Sequence, residues 1–382
     1  MNILKLVLII AMISSCISTS RKFISPQELS SCMPLKDSSR IPVVFAPGFK
    51  GSELFRGNEQ IWLTPLQGLG LSTPDLTLQK EDDVRAGAAL RELTLAFGLI
   101  RFKIYSDWLD FLESQKNWEP YVFTYDWRKD NNQSAKDLIA FLECIQTRHN
   151  GKKVHVVGHS NGGNLTLSAM NQRTDLFASA TIVGAPMRGG IGFMEDLIPG
   201  LPTGLNSQIT SPCVSASFVS PYTFFPRKNP LDTQELLWDE KNIPISIDFF
   251  KAEDWKKFQL GAFHEKSSCK EKSLVEFQNV LDLGLKFKNS LDYVKSQKYP
   301  RILVVYGENL PTLGSLKGVS KNGNWSWDFQ NKKMISGDGR VASRNAQLPE
   351  EFVYEKFLTT YEHSQILNDK SVQTQIQKWI EK

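Results

Sequence analysis

No run of five or more lysines or arginines occurs in the chain, and 45 basic against 41 acidic side chains leave a net charge of only +4 over 382 residues. The electrostatic stripe with which a nucleic-acid binder neutralises phosphates is therefore missing. Histidine is scarce, with five residues, and so is cysteine, also with five. The cysteine spacings match neither a zinc-ligand pattern nor a CxxC pair, so no metal site is implied. No internal repeat or low-complexity tract breaks the chain. What remains, 41% apolar, 11% aromatic and 23% charged, excludes disordered and fibrous classes and suffices for a large core.

The first residues read as an address. Lys5 precedes an apolar run from Leu6 to Ile13, followed by Ser14-Ser15-Cys16. The run is short of the ~20 residues a membrane span needs and suits the core of a signal peptide. Residues 1–15 are thus expected to direct export. Ile13-Ser14-Ser15-Cys16 resembles a bacterial lipobox, whose cysteine becomes the lipid-modified first residue of the mature chain. Cys16 is the expected lipidation site and the cell envelope the expected location, with a plain secretory signal as the alternative. Serine-rich residues 16–40 read as a tether, with order beginning at Arg40. Cys32, Cys144, Cys213 and Cys269 allow three pairings in an oxidising compartment. Cys144 falls on a helical apolar stripe and reads as a small core residue; a Cys213–Cys269 bridge is allowed without being favoured.

From Arg40 onward short apolar runs alternate with helical patterns, as in an α/β protein with a mostly parallel sheet covered on both faces. Strands are expected at Ile41 to Pro47, Tyr121 to Tyr125, Val154 to Val157, Ala180 to Val183 and Ile302 to Tyr306. Helical spacing marks Tyr105 to Leu112, a helix capped by Ser134 with apolar Leu138, Ile139, Phe141, Leu142 and Ile145, and Asn164 to Gln172. Between Pro186 and Pro300 more than a hundred residues lack this alternation, far beyond an ordinary loop of about 4–6. They read as an inserted cap over a binding cavity, dividing the core into residues 41–190 and 300–382 around a cap at 191–299.

The chemistry is signalled where the strand at Val154 runs into Gly158-His159-Ser160-Asn161-Gly162-Gly163. Strand, GxSxG and helix in succession are what a nucleophile elbow of the α/β-hydrolase fold requires. The glycines leave room for strand and helix to pass the turn, and the helix N-terminus offers amides beside the serine. Ser160 needs a base. His149 ends a helix, His155 lies inside the strand and His159 is locked in the elbow, leaving His264 in the cap and His363 after the Phe352-to-Phe357 run. The fold's chain order of serine, acid, histidine favours His363. For the acid, Asp338 in the Gly337-Asp338-Gly339 turn leads, with Glu308 after the strand ending at Tyr306 and Asp328 as rivals. A turn residue bonding its own backbone is the plainer reading of Asp338. Backbone amides of Phe49, in Pro47-Gly48-Phe49-Lys50-Gly51, and of Asn161 are the oxyanion-hole candidates, so side-chain identity there is expected to matter little.

Several segments together resemble the lecithin:cholesterol acyltransferase and lysosomal phospholipase A family. They are Pro47-Gly48-Phe49-Lys50-Gly51-Ser52, Ile61-Trp62-Leu63, Tyr125-Asp126-Trp127-Arg128, the elbow, Gly184-Ala185-Pro186, Tyr306-Gly307 with Pro311-Thr312, Gly337-Asp338-Gly339 and His363. In order they span about residues 41 to 370. The resemblance implies a serine acyl enzyme acting on membrane lipids, with Ser160, Asp338 and His363 as triad, and it moves Asp338 ahead of Glu308. It implies transfer of an acyl chain from a glycerophospholipid to serine and on to water or an alcohol, without metal or organic cofactor.

The chain also departs from that family. The resemblance implies that the loop around Trp62 touches the lipid surface, but no cysteine lies between Phe49 and Asp75, so the disulfide closing that loop in animal members cannot form. Arg340 stands where a threonine is usual, close enough in sequence to pair with Asp338 and perturb it. Independently of the resemblance, Tyr222, Phe224 and Phe225 beside Arg227 and Lys228 read either as a lipid-docking edge or as packing of cap on core. Two other classes stay open, a hydrolase of soluble esters and a non-catalytic envelope lipoprotein.

Overall fold

The computed structural model describes residues 23–29, 32–95, 100–228, 236–264, 269 and 273–382. The expected signal peptide and the expected lipidation site at Cys16 lie outside these residues. The strands that position the site are β1 (Ile41–Ala46), β2 (Trp118–Val122), β3 (Val154–His159), β4 (Phe177–Val183), β5 (Arg301–Gly307), β6 (Leu310–Lys321), β7 (Asn324–Gly337) and β8 (Glu355–Thr359). Six of them form one sheet in the order β8-β5-β4-β3-β1-β2, and every neighbouring pair is parallel. Helices α1 (Ser106–Ser114), α2 (Asn131–Arg148), α3 (Asn161–Gln172), α4 (Leu274–Asn289) and α5 (Lys370–Glu381) follow the same chain order.

Strand pleating explains the two cores. Val44 and Ala46 of β1 join a cluster with Leu138, Phe141 and Leu142 of α2 and Leu165 of α3. Val43 and Phe45 join Trp108 and Leu112 of α1 and Ile376 and Trp379 of α5 on the opposite face. Alternate residues of one strand thus bury into different helix layers, which makes the whole strand apolar. This is the α/β-hydrolase arrangement, with helices on both faces of a parallel sheet.

Element boundaries shift for local reasons. β2 begins at Trp118 rather than Tyr121; it is an edge strand, where Pro120 with its missing N–H is tolerated. α2 begins at Asn131, a turn before Ser134, because the Asp130 carboxylate accepts from Asn132 N–H at 2.9 Å. The tether reading also needs correction, since order does not wait for Arg40. Ile24 bridges Tyr121, Leu35 N–H donates to the Arg148 carbonyl at 2.9 Å, and Cys32 is bonded to Cys144. Cys144 is therefore a bridge anchor, and Cys213 and Cys269 form the second disulfide.

The Cys32–Cys144 bond spans a sequence separation of 112, so it strongly restricts the unfolded chain. Replacing both cysteines with serine is expected to cost about 2–5 kcal/mol of stability, read from denaturant unfolding under oxidising conditions. An unchanged midpoint would show that the bridge adds nothing.

The cap has a core of its own. Tyr222, Phe225, Phe249, Trp255 and Phe277 interlock with ring centroids 5.0–5.5 Å apart in most pairs. Leu313, Leu316 and Trp327 of the antiparallel β6–β7 hairpin join this core, so a hairpin not expected from the sequence extends the second part of the core domain into the cap. Among the described residues no helix is long and apolar enough to cross a membrane.

Candidate active site

The residues around Ser160 are held by close backbone approach. β3 ends at His159, Ser160 takes φ 53° and ψ −121°, and α3 begins at Asn161. Positive φ is costly for a non-glycine residue and persists here because both flanking elements are buried. A Cβ on Gly162 would lie 2.1 Å from the Ala46 carbonyl oxygen, so α3 enters the sheet only with glycine there.

Three side chains separated by up to 203 positions meet at this turn. His363 Nε2 lies 3.0 Å from Ser160 Oγ, and His363 Nδ1 lies 2.8 Å from Asp338 Oδ2. Asp338 is fully buried, and its other oxygen accepts from Arg340 and Val341 N–H at 2.9 and 2.7 Å. One oxygen thus faces His363 and the other bonds the backbone of its own turn. Burial raises its carboxyl, but His363, through charge and hydrogen bond, and these two amides outweigh that and hold it below the ordinary 3.8. His363 N–H donates to the Asp338 carbonyl at 2.8 Å, which fixes the loop after β8 as well as the ring.

The rival acids are placed elsewhere. Glu308 lies at the end of β5, with its N–H on the Thr359 carbonyl. Asp328 lies within β7, opposite Lys317, and accepts from Gln330 and Asn331 N–H. Arg340 does not pair with Asp338 through its side chain; its guanidinium reaches Asp196 at 2.6 Å. His264 is buried in the cap.

His159 does more than fill the elbow. Burial first, and the neighbouring His363 second, push its imidazole down to about 3. The ring is neutral at ordinary pH, with Nε2–H donating to the His363 carbonyl at 2.9 Å and Nδ1 accepting from Tyr105 Oη at 2.8 Å. Tyr105 Oη in turn accepts from Gly48 N–H at 2.9 Å. One chain of bonds thus ties the loop after β1, the elbow and the histidine loop together. Sequence reasoning misses Tyr105, because a tyrosine on an apolar helical stripe looks like ordinary core.

Phe49 shares the cavity wall with Ser160, which Asn161 follows, and among the described residues neither amide donates to a protein acceptor. A Cβ on Gly48 would lie 2.8 Å from Ser160 Cβ, which shows how closely that loop approaches. The side chains matter more than expected. The Phe49 ring packs edge-on against Trp127, Phe193 and Phe224 at 5.1–5.8 Å between centroids. Asn161 exchanges two hydrogen bonds with Asn131 and donates to Tyr125 Oη, whose hydroxyl donates to the Pro47 carbonyl at 3.2 Å. Arg128 of the Tyr-Asp-Trp-Arg run is fully buried between Asp126 and Asp82, at 2.7 and 2.9 Å.

Ser160 and His363 open onto a cavity of about 610 Å³, walled mainly by apolar side chains including Phe49, Trp62, Leu93 and Phe224. The docking reading is corrected here. Trp62, 2% exposed, is a cavity wall whose Nε1 donates to the Lys50 carbonyl. Tyr222 and Phe225 are buried in the cap core, and Arg227 is paired with Asp292. Only Phe224 of that run lines the cavity. Exposed apolar side chains are spread over the described residues, among them Leu66, Leu71, Phe102, Leu205, Val275 and Val353, and of these Phe102 also lines the cavity. Among the described residues no group of three or more His, Cys, Asp or Glu is placed to hold a metal.

A family model described as lecithin:cholesterol acyltransferase matches residues 76–350. The chain belongs to that family. A lecithin-cholesterol acyltransferase-like protein of Arabidopsis thaliana is 25% identical over 68% of this family member and 55% of its own length. An uncharacterized protein of Saccharomyces cerevisiae is 24% identical over 81% of this chain and 56% of its own length. The chain therefore spans little more than half the length of both relatives. Among solved structures, a lipase of Bacillus licheniformis in its mature form is 12% identical, with a TM-score of 0.40, covering 91% of this chain and 95% of its own.

Proposed function

We propose that this protein is a serine-dependent lipid acyl hydrolase or acyltransferase that cleaves a glycerophospholipid ester. The observation that carries the reading is the unbroken chain of hydrogen bonds from Ser160 Oγ through His363 to buried Asp338, opening on a largely apolar cavity. His363 Nε2 takes the Ser160 proton as Oγ attacks the ester carbonyl, Asp338 steadies the imidazolium, and the Phe49 and Asn161 amides receive the oxyanion. Collapse of this intermediate expels the alcohol, protonated by His363, and leaves an acyl-serine. Water or an alcohol, deprotonated by His363, then releases the acyl group.

Family membership supports a lipid substrate, and the apolar wall supports an acyl chain. Phe102, exposed and lining the cavity, supports contact of the cavity with a lipid surface. The two disulfides support an exported chain, and lipidation at Cys16 would hold it at an envelope membrane.

The test is mass spectrometry of lipid products after the mature chain meets phospholipid vesicles with and without a long-chain alcohol. Free fatty acid alone identifies a phospholipase, and a new ester of the alcohol identifies an acyltransferase. No product from vesicles alongside turnover of short soluble esters would replace the lipid reading with a soluble esterase. Failure of a fluorophosphonate to label the folded chain would point to a non-catalytic role.

A further inference from the structure

Three charged side chains meet on the wall of the cavity that holds Ser160 and His363, namely Lys50, Asp196 and Arg340. Asp196, its side chain 4% exposed, has both oxygens engaged. Oδ1 accepts from Lys50 Nζ at 3.1 Å and Oδ2 from an Arg340 amino group at 2.6 Å. Neighbouring Glu195 takes the other Arg340 amino group at 3.5 Å and pairs with Lys332. Lys50, Arg340 and Lys332 thus share Asp196 and Glu195, and the charge of buried Asp338 also acts on Arg340. Burial favours a neutral Asp196, but Lys50 and Arg340 outweigh it and keep the carboxyl below the ordinary 3.8, so these charges are present at neutral pH.

Lys50 and Arg340 carry more N–H groups than these carboxylates engage. An ammonium carries three N–H groups and a guanidinium five. Among the described residues, carboxylates engage Lys50 once and Arg340 twice. The remaining N–H groups sit on side chains 21% and 31% exposed that line the cavity. Glu362, the other carboxylate on this wall, is exposed, so solvent screens it.

Both cations are registered to the reacting atoms by the backbone. Lys50 follows Phe49, whose amide is the proposed oxyanion donor, and takes φ 63° in a turn closed by Gly51 N–H on the Gly48 carbonyl. The Arg340 amide donates to Asp338 Oδ1. A latch between cap and core requires only matched pairs. Donors left over beside Ser160 suit an anionic ligand better than water alone, and a guanidinium with an adjacent ammonium matches the paired oxygens of a phosphate.

We infer that Lys50 and Arg340 are the subsite for the phosphate of the acyl-lipid substrate, with Asp196 as the positioning residue for both cations. The inference rests on the lipid reading of the site given above.

Phosphatidylcholine and diacylglycerol with the same acyl chains, in the same mixed vesicles, present the same esters with and without phosphate. In Lys50→Gln and Arg340→Gln the ratio of kcat/KM on phosphatidylcholine to that on diacylglycerol is expected to fall about 10–100-fold from wild type. A ratio within about twofold of wild type, whatever the absolute rates, would overturn the subsite and leave the cluster a latch. Because either substitution unbalances buried Asp196, the wild-type chain supplies a second arm. Glycerol 3-phosphate is expected to inhibit its hydrolysis of a soluble short-chain ester, and glycerol is not; equal responses would overturn the subsite without any variant. A wild-type chain that cleaves neither lipid would remove the lipid reading and the subsite with it, a result distinct from normal lipid cleavage with an unchanged ratio.

Discussion

Ser160→Ala is expected to lower ester turnover by about five to six orders of magnitude while leaving the circular-dichroism spectrum and unfolding midpoint close to wild type. The size of the loss follows from what Oγ does. It is the atom 3.0 Å from His363 Nε2, and without it the base has no nucleophile to activate. The remaining catalysis would come from substrate binding and the two amides, acting on water that no residue positions. The fold is expected to survive because the change removes one oxygen. Alanine takes the same φ of 53° that Ser160 takes at a similar cost, and the Ser160 N–H bond to the Val183 carbonyl is backbone. Fluorophosphonate labelling and product analysis on one preparation check both halves. A folded variant that still turns over ester would remove Ser160 from the chemistry.

Much of this site is legible in the sequence because its constraints are local or scarce. The elbow is written in consecutive residues, since a serine between strand and helix dictates glycines two positions away. His363 is found by elimination among five histidines, and Asp338 stands out because a carboxylate in a glycine turn has few competitors downstream of Ser160. The sheet is readable for a similar reason, its buried strands being continuous apolar runs.

The rest depends on contacts that leave no local pattern. Tyr105, Asn131 and Tyr125 act through single polar atoms on otherwise ordinary core residues. The ion pairs of Asp196 with Lys50 and Arg340 join three segments, and no one of them announces a partner. Cys32 reaches Cys144 across 112 positions. The β6–β7 hairpin escapes periodicity because register shifts at Leu313/Ser315 and Ser315/Lys317 break the alternation of faces. The docking edge fails for the opposite reason. Tyr222, Phe224 and Phe225 have the composition of a membrane edge, but composition cannot separate that from a cap core, and packing against Trp255 and Phe277 puts two of the three inside.

Asp338→Asn is expected to cost about four orders of magnitude in kcat with little change in KM. The asparagine oxygen can still accept from Arg340 and Val341 N–H, which fixes the amide orientation and turns its NH2 toward His363 Nδ1. Two donors would then face each other at a position where wild type has a 2.8 Å bond. The imidazole escapes by carrying its proton on Nε2 instead, and in that tautomer the nitrogen facing Ser160 cannot take the serine proton. Substrate binding in the cavity does not depend on the tautomer, so the loss falls on the chemical step. The same substitution tests the charge on Asp338. Its folded carboxyl is held below the ordinary 3.8, so the ionised form stabilises wild type above that pH, and the contribution fades as pH falls through the folded value. Asparagine does not titrate, and unfolding followed from pH 7 down to about 3 should therefore show a smaller loss of stability in the variant. Equal acid sensitivity would mean that His363 and the two amides do not favour the ionised Asp338, and a kcat close to wild type would return the acid's role to another carboxylate.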